Sequence, residues 1–392
     1  MRKFDCLIIG AGAAGMMCAA EAGKRGRSVL IVDHADAPGE KIRISGGGRC
    51  NFTNLRTAPE NFLSENRRFC ISALRRYTQR DFIALVEKHN IAYHEKTLGQ
   101  LFCDGSAKAI IDMLLAELGE TGAQMELSTR MDGIERQGEG FRAALSSGPV
   151  EAASVVIATG GKSIPKMGAT GFAYSIADQF GIKVIEPRPG LVPLTYEAAM
   201  LEQLKPLSGI SVDAIVASGK THFTEGLLFT HRGLSGPSIL QISSYWREGG
   251  EITVDLAPGT DMAERLIAGK ASNGKQAVQT ALAEYLPKRL AVAIAEEANL
   301  TRPLGDLSDK VLRQLGERVN RWGVKPSGSE GYRTAEVTLG GIDTAALNQK
   351  TMEVKAAPGL YFIGEAVDVT GWLGGYNFQW AWSSGWSAGQ AV

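Results

Sequence analysis

The residues most able to do chemistry come first in the chain. Gly10-Ala11-Gly12-Ala13-Ala14-Gly15 lies between a short apolar run, Phe4 to Ile9, and an Ala/Met-rich helical stretch reaching about Lys24. In a strand–turn–helix setting the three glycines have separate tasks. Gly10 permits a tight turn, Gly12 lets the backbone approach a pyrophosphate, and Gly15 lets the helix pack on the strand. The helix end at Ala13 and Ala14 adds free N–H groups and a partial positive charge, which suit a phosphate. Asp33 closes the next apolar run, Ser28 to Val32, where a carboxylate would take a ribose hydroxyl.

A second loop, Lys41 to Asn54, carries three consecutive glycines, Gly46, Gly47 and Gly48, followed by Arg49, Cys50 and Asn51. Its exposed N–H groups and the planar fork of Arg49 fit phosphate oxygens. Cys50 reads as a small packing residue rather than a reactive thiol. Further on, the buried run Ser154 to Ala158 ends in Thr159-Gly160, a turn that lets the chain cross beside a dinucleotide. The following Gly161-Lys162-Ser163 is not a P-loop, since Val156 stands where that loop needs its first glycine. Near the C-terminus, Gly364-Glu365 ends another buried run, and Gly375, Tyr376 and Asn377 open a helical stretch to about Gln390.

Proton-handling candidates are few: His231 in a loop, Asn51 and Tyr376. His34, His89, His94 and His222 have no spacing that suggests a metal, and none is expected. Phe378, Trp382 and Trp386 recur every four residues, one helical face that reads as core.

The elements that must hold these residues divide the chain into three. A Rossmann-like α/β domain is expected from residues 1–190 and 334–392, interrupted by a β-rich insert over 191–260 and a helical insert over 261–333. Within the first part, Asn66 to Asn90 and Ser106 to Glu120 are helical by period. In the last insert, Ser272 or Asn273 is expected to cap a helical stretch broken at Pro287 and Pro303.

Composition narrows the function. The chain has 42 Lys+Arg against 42 Asp+Glu, so no far-reaching field draws it to nucleic acid or an anionic membrane. A small-molecule substrate is therefore expected, and the sequence says nothing of oligomeric state. Five cysteines, with no C-x-x-C pair, fit a reduced cytoplasm. Glycines interrupt the apolar run after Met1-Arg2-Lys3, against a secretory signal, and no run is long enough to span a membrane. Glycine itself is abundant, 47 of 392 residues against a usual ~7%.

Taken together, Gly10 to Gly15, Ser45 to Asn51, Leu228 to Pro237 and Gly364 to Asp368 with Gly374 to Asn377 resemble the aminoacetone oxidase family of bacterial flavoproteins, from Asp5 to about Gly389. The resemblance implies a two-dinucleotide-binding-type FAD domain built from both chain ends, with a β-barrel-like insert and a helical insert. It places the first-turn glycines, Asp33, Arg49 and Glu365 on non-covalently bound FAD, Glu365 near the ribityl chain, and aims the Tyr376 helix at the flavin ring. The function expected is an FAD-dependent oxidoreductase exchanging hydride or electrons between flavin N5 and a small organic substrate. NAD(P)H as a transient donor, oxygen-dependent oxidation of an amine or amino-ketone, and a flavin-holding sensor without turnover all stay open. An NAD-dependent dehydrogenase using only the first turn would leave the Gly46–Asn51 and Gly364–Glu365 segments without a task.

Overall fold

A computed structural model describes residues 1–392. They separate into two compact units, Met1–Arg188 with Val337–Val392, and Pro189–Glu336. The stretches expected to be separate β-rich and helical inserts make one unit.

In the first unit, β1 (Arg2–Ile9) buries Cys6 to Ile9 completely or nearly so. A strand apolar on both faces belongs in the middle of a parallel sheet. It pairs in parallel with β2 (Val29–Val32) on one side and with Gly148–Ile157 on the other. Leu360–Phe362 pairs in parallel with the end of that strand. Gln124–Glu126 pairs in parallel with β2 on its outer side, so five parallel strands end together, at Ile9, Val32, Glu126, Ile157 and Phe362, where the order of the sheet reverses around β1. That is where α/β sheets bind ligands. The antiparallel strands Met131–Gln137 and Gly140–Leu145 extend the sheet from the other half of Gly148–Ile157.

Helix α1 (Ala13–Lys24) is buried nearly all round, so its lack of a polar face is appropriate. The C-terminal helix Tyr376–Gly389 packs on it at very short range. A Cβ on Gly385 would lie 2.4 Å from the Ala14 carbonyl oxygen, and one on Gly389 would lie 2.7 Å from the Glu21 Cβ. The far face of this helix carries the aromatic stripe. Trp382 stacks on Phe82 with ring centroids 4.3 Å apart, and its indole N–H donates to the Phe52 carbonyl at 2.8 Å. Trp382 is core, as the spacing predicts, and Phe378 and Trp386 are half-buried and pack against that core.

The periodic stretch 66–90 forms two helices, Cys70–Arg76 and Gln79–Lys88. They part where Thr78 caps the second through a reciprocal bond with Asp81. Ser272 and Asn273 do not cap a helix. They end Met262–Asn273, whose cap is Asp261, and the bend follows at Gly274. The second unit holds a seven-stranded sheet that includes the long hairpin Ser211–Ser218 with Thr221–Thr230. It also holds helices such as Lys288–Glu297, which begins just after Pro287.

Glu117, on the helix Lys108–Gly119, is buried in the first unit with a side-chain exposure of 1%. Its carboxylate meets Lys24 Nζ, Lys88 Nζ and His89 Nε2, each at 2.7 Å. Burial alone would raise its pKa. Hydrogen bonds from those three partners outweigh burial and pull it down from 4.5 to about 2. A depressed carboxyl stabilises the fold above its unfolded-state pKa, and that contribution fades as pH falls towards the folded value. Glu117→Gln should therefore cost about 2–3 kcal/mol near neutrality. The gap to the wild type should close between about pH 4.5 and about pH 2 in thermal melts. A gap that does not change with pH would show that the carboxylate charge is not what matters.

Candidate functional site

The first turn takes the form its glycines predict. Gly10 has φ +112°, a region costly for other residues, and a Cβ there would lie 2.5 Å from the Ala158 carbonyl oxygen. A Cβ on Gly15 would lie 1.9 Å from the Gly10 carbonyl oxygen, so only glycine lets the helix start this close to the turn. Gly12 differs. It has φ −84°, and a Cβ there would meet nothing within 4 Å. The protein itself does not need glycine at 12, whereas a phosphate approaching the backbone would. No side chain caps α1, so its first N–H groups face that open space.

Asp33 is fixed in place beside this turn. Its Oδ2 accepts from Ala11 N at 2.7 Å and its Oδ1 from Ala35 N at 2.9 Å. Oδ1 also faces His34 Nδ1 at 3.3 Å, whereas Oδ2 keeps a lone pair for a ribose hydroxyl. In the Ser45–Gly48 turn, Gly46 and Gly47 are left-handed, and Gly47 opens onto empty space. Arg49 is exposed with no partner in the chain. Cys50 beside it is fully buried, and burial pushes its thiol pKa far up, so it packs and does not react. At the other strand end the Thr159 hydroxyl is buried without a partner. An orphaned hydroxyl, an uncapped helix end, open glycine faces and an unpaired guanidinium all belong to this one unit, and they are the groups that FAD would use.

Glu365 sits at the same end of the sheet and is already occupied. Its Oε1 accepts from Ser163 Oγ at 2.7 Å and Thr338 N at 2.9 Å, and its Oε2 from Lys41 Nζ at 2.7 Å. Burial would raise its pKa, but the Lys41 charge and these hydrogen bonds prevail and hold it below the ordinary carboxylate value. Lys41 also donates to Ser163 Oγ at 2.8 Å. A Cβ on Gly160 would lie 3.7 Å from Glu365 Oε2 and 3.9 Å from Lys41 Nζ, so this ionised cluster borders the Thr159–Gly160 turn. Lys41, Ser163 and Thr338 are the functional residues that sequence reasoning missed. They lie 324, 202 and 27 residues from Glu365, so no local pattern links them.

Several residues expected to face a cofactor have side chains committed to the fold. Asn377 Oδ1 accepts from Gly371 N at 2.8 Å and its Nδ2 donates to Gly371 O at 2.9 Å, closing the turn. Asn51 accepts from Gly375 N at 3.2 Å and donates to Leu101 O at 3.1 Å. Gly375 has φ +94°, and a Cβ there would lie 2.4 Å from the Thr53 carbonyl oxygen. Its glycine is demanded by neighbouring backbone, before any flavin is considered. Tyr376 is buried, edge-on to Phe62 and Trp372. Gly364 is gripped by the C-terminal helix, its N–H by Ser384 Oγ and its carbonyl by Trp380 Nε1. His231 lies exposed on a turn of the second unit and makes no hydrogen bond.

Two glycine variants separate these roles. Gly12→Val should fold normally and purify colourless, because the added methyls occupy only the open phosphate face. Gly375→Val should instead lower the melting temperature, since it strikes Thr53. Arg49→Ala should keep the fold and weaken FAD about ten- to hundredfold. A Gly12→Val protein that retains full flavin, read from its absorbance, would remove the pyrophosphate site from this turn.

Comparison with known proteins agrees with the Rossmann-like fold. The profile of the HI0933-like protein Rossmann domain matches residues 4–391. A protein of Escherichia coli K12 named ribosomal RNA dihydrouridine synthase is 50% identical, covering 100% of this chain and 98% of its own. The protein of that name from Haemophilus influenzae is 46% identical over 98% of both chains. A 3-dehydro-bile acid delta(4,6)-reductase of Clostridium scindens is 26% identical, also over 98% of both. Among solved structures, a 3-ketosteroid-delta4-(5alpha)-dehydrogenase from Rhodococcus jostii RHA1 shares the fold, with a TM-score of 0.50 and 15% identity over 99% of this chain and 97% of that one. None of these relatives carries the name aminoacetone oxidase, so that resemblance holds at the level of the FAD-binding Rossmann fold. The chain belongs to the HI0933-like family of FAD-binding Rossmann proteins.

Proposed function

We propose that the protein reduces a carbon–carbon double bond conjugated to a carbonyl, and that its substrate is uridine in ribosomal RNA, which becomes dihydrouridine. The observation carrying this reading is the 50% identity, over the whole chain, with the E. coli protein of that name. The more distant relative named a bile acid reductase supports the chemistry. Uracil C5=C6 is conjugated to the C4 carbonyl, as double bonds beside a 3-oxo group are in a steroid ring. In both, hydride adds to the carbon remote from the carbonyl and a proton to the nearer one.

When bound, FAD would supply the hydride, and NAD(P)H is the proposed source of its electrons. The protein's own residues have the tasks of binding and orientation. Gly12 with the α1 N-terminus holds the pyrophosphate, Asp33 the adenosine ribose, and Arg49 adds a fork to a phosphate oxygen. The ionised Lys41–Glu365–Ser163 cluster borders the Thr159–Gly160 turn. An RNA substrate departs from the small molecule expected from a net charge of zero. Net charge governs the distant field, and it permits a local cluster of one sign.

The test is direct. Holoprotein, NADPH and ribosomal RNA lacking dihydrouridine are incubated, and the RNA is digested to nucleosides for mass spectrometry. Dihydrouridine should form with the wild type and not with colourless Gly12→Val. An enzyme that consumes NADPH or an amino-ketone while leaving every uridine intact would overturn the proposal.

A further inference from the structure

The charge balance conceals one marked concentration. From Arg56 to Arg80 the chain has six arginines (56, 67, 68, 75, 76 and 80) against two carboxylates, Glu60 and Glu65. All six arginines are exposed, and none is paired with a carboxylate. Arginines on a surface helix are ordinarily laced to acids at i±3 or i±4. For Arg75 and Arg76, on the helix Cys70–Arg76, those positions hold no acid, and Glu60 and Glu65, within reach of Arg56 and Arg68 in the sequence, form no ion pair with them.

Packing gathers part of this cluster onto one face of the first unit. Arg76 donates to the Lys350 carbonyl oxygen and lies over the Trp386 ring, 4.9 Å from its centroid. That joins the helix Cys70–Arg76 to the segment 344–355, which adds the exposed Lys350 and Lys355. Of the acids there, Asp343 is paired with Lys183 and Glu353 accepts from Gly359 N. Between the two segments lies a cavity of about 340 Å³, lined by Asn66, Thr344, Asn348, Gln349 and Lys355 among others. The Thr344 hydroxyl is buried there without a partner. The volume is within the ~300–1,000 Å³ usual for small-ligand sites. None of its residues belongs to the cofactor cradle.

We propose that this face is where RNA docks: Arg67, Arg68 and Arg75 take backbone phosphates, and the cavity receives one nucleotide against its amides and the unpartnered Thr344 hydroxyl. The assignment rests on the RNA reading of function above. Its chemistry follows from the residues, since unpaired arginines match a phosphate chain, and amides with a hydroxyl match base and sugar edges.

The test measures binding without turnover, so its failure is separable from failure of the proposed reaction. Fluorescein-labelled oligo(U) is titrated with holoprotein at several KCl concentrations and followed by anisotropy. The Arg67→Glu/Arg68→Glu variant should hold FAD like the wild type and bind at least tenfold more weakly. Its plot of log affinity against log salt should be shallower by roughly 1.4, at about 0.7 per lost phosphate contact for a single strand. Thr344→Val should weaken oligo(U) without altering the salt slope. Wild-type affinity and slope in the charge-reversed variant would overturn the assignment, even if dihydrouridine still forms. So would wild-type protein that ignores oligo(U) at low salt, which would leave the arginines to an anionic protein partner.

Discussion

Everything in the cofactor unit depends on how closely three backbone segments meet at residues 10 to 15. The strand end at Ala158, the start of α1 and the C-terminal helix come together there at distances that exclude a Cβ at Gly10, Gly15 and Gly385. Residues near the beginning, middle and end of the chain are thereby fixed against one another. The sheet can then present five strand ends and an uncapped helix on one side. Close packing of this kind is all-or-none, because a single methyl cannot be absorbed by backbone on both sides. The open face of Gly12 is meaningful because its neighbours are so tightly constrained.

What was legible in the sequence was local. The Gly10–Gly15 turn, Asp33 and the buried parallel strands follow from short patterns, and the structure brings them to one edge of the sheet. What was not legible depends on contacts between distant segments. Glu365 carries no sign of Lys41, Ser163 and Thr338, yet these use three of its hydrogen-bonding directions and keep it ionised. Asn51 and Asn377 illustrate the converse. An amide beside glycines suits a cofactor contact, and it suits a turn that must tie off its own carbonyl and amide groups equally well. In both cases the turn takes the side chain.

Charge follows the same logic. A sum of zero over 392 residues is compatible with a run of 25 residues that is strongly positive. Neutrality removes the long-range pull towards any polyanion, and recognition would then depend on short-range, salt-sensitive contacts from that face. The paired Glu117, by contrast, uses its cations to hold the fold together, and they are not available to a partner.

The claim at the centre of this account is that electrons leave the flavin for a uracil ring. It is tested most directly by a single anaerobic turnover, in which photoreduced holoprotein is mixed with ribosomal RNA free of dihydrouridine and no other electron acceptor. The account predicts that the oxidised flavin band returns and that one dihydrouridine forms per FAD. Flavin that stays reduced until oxygen is admitted, with every uridine intact, would contradict it.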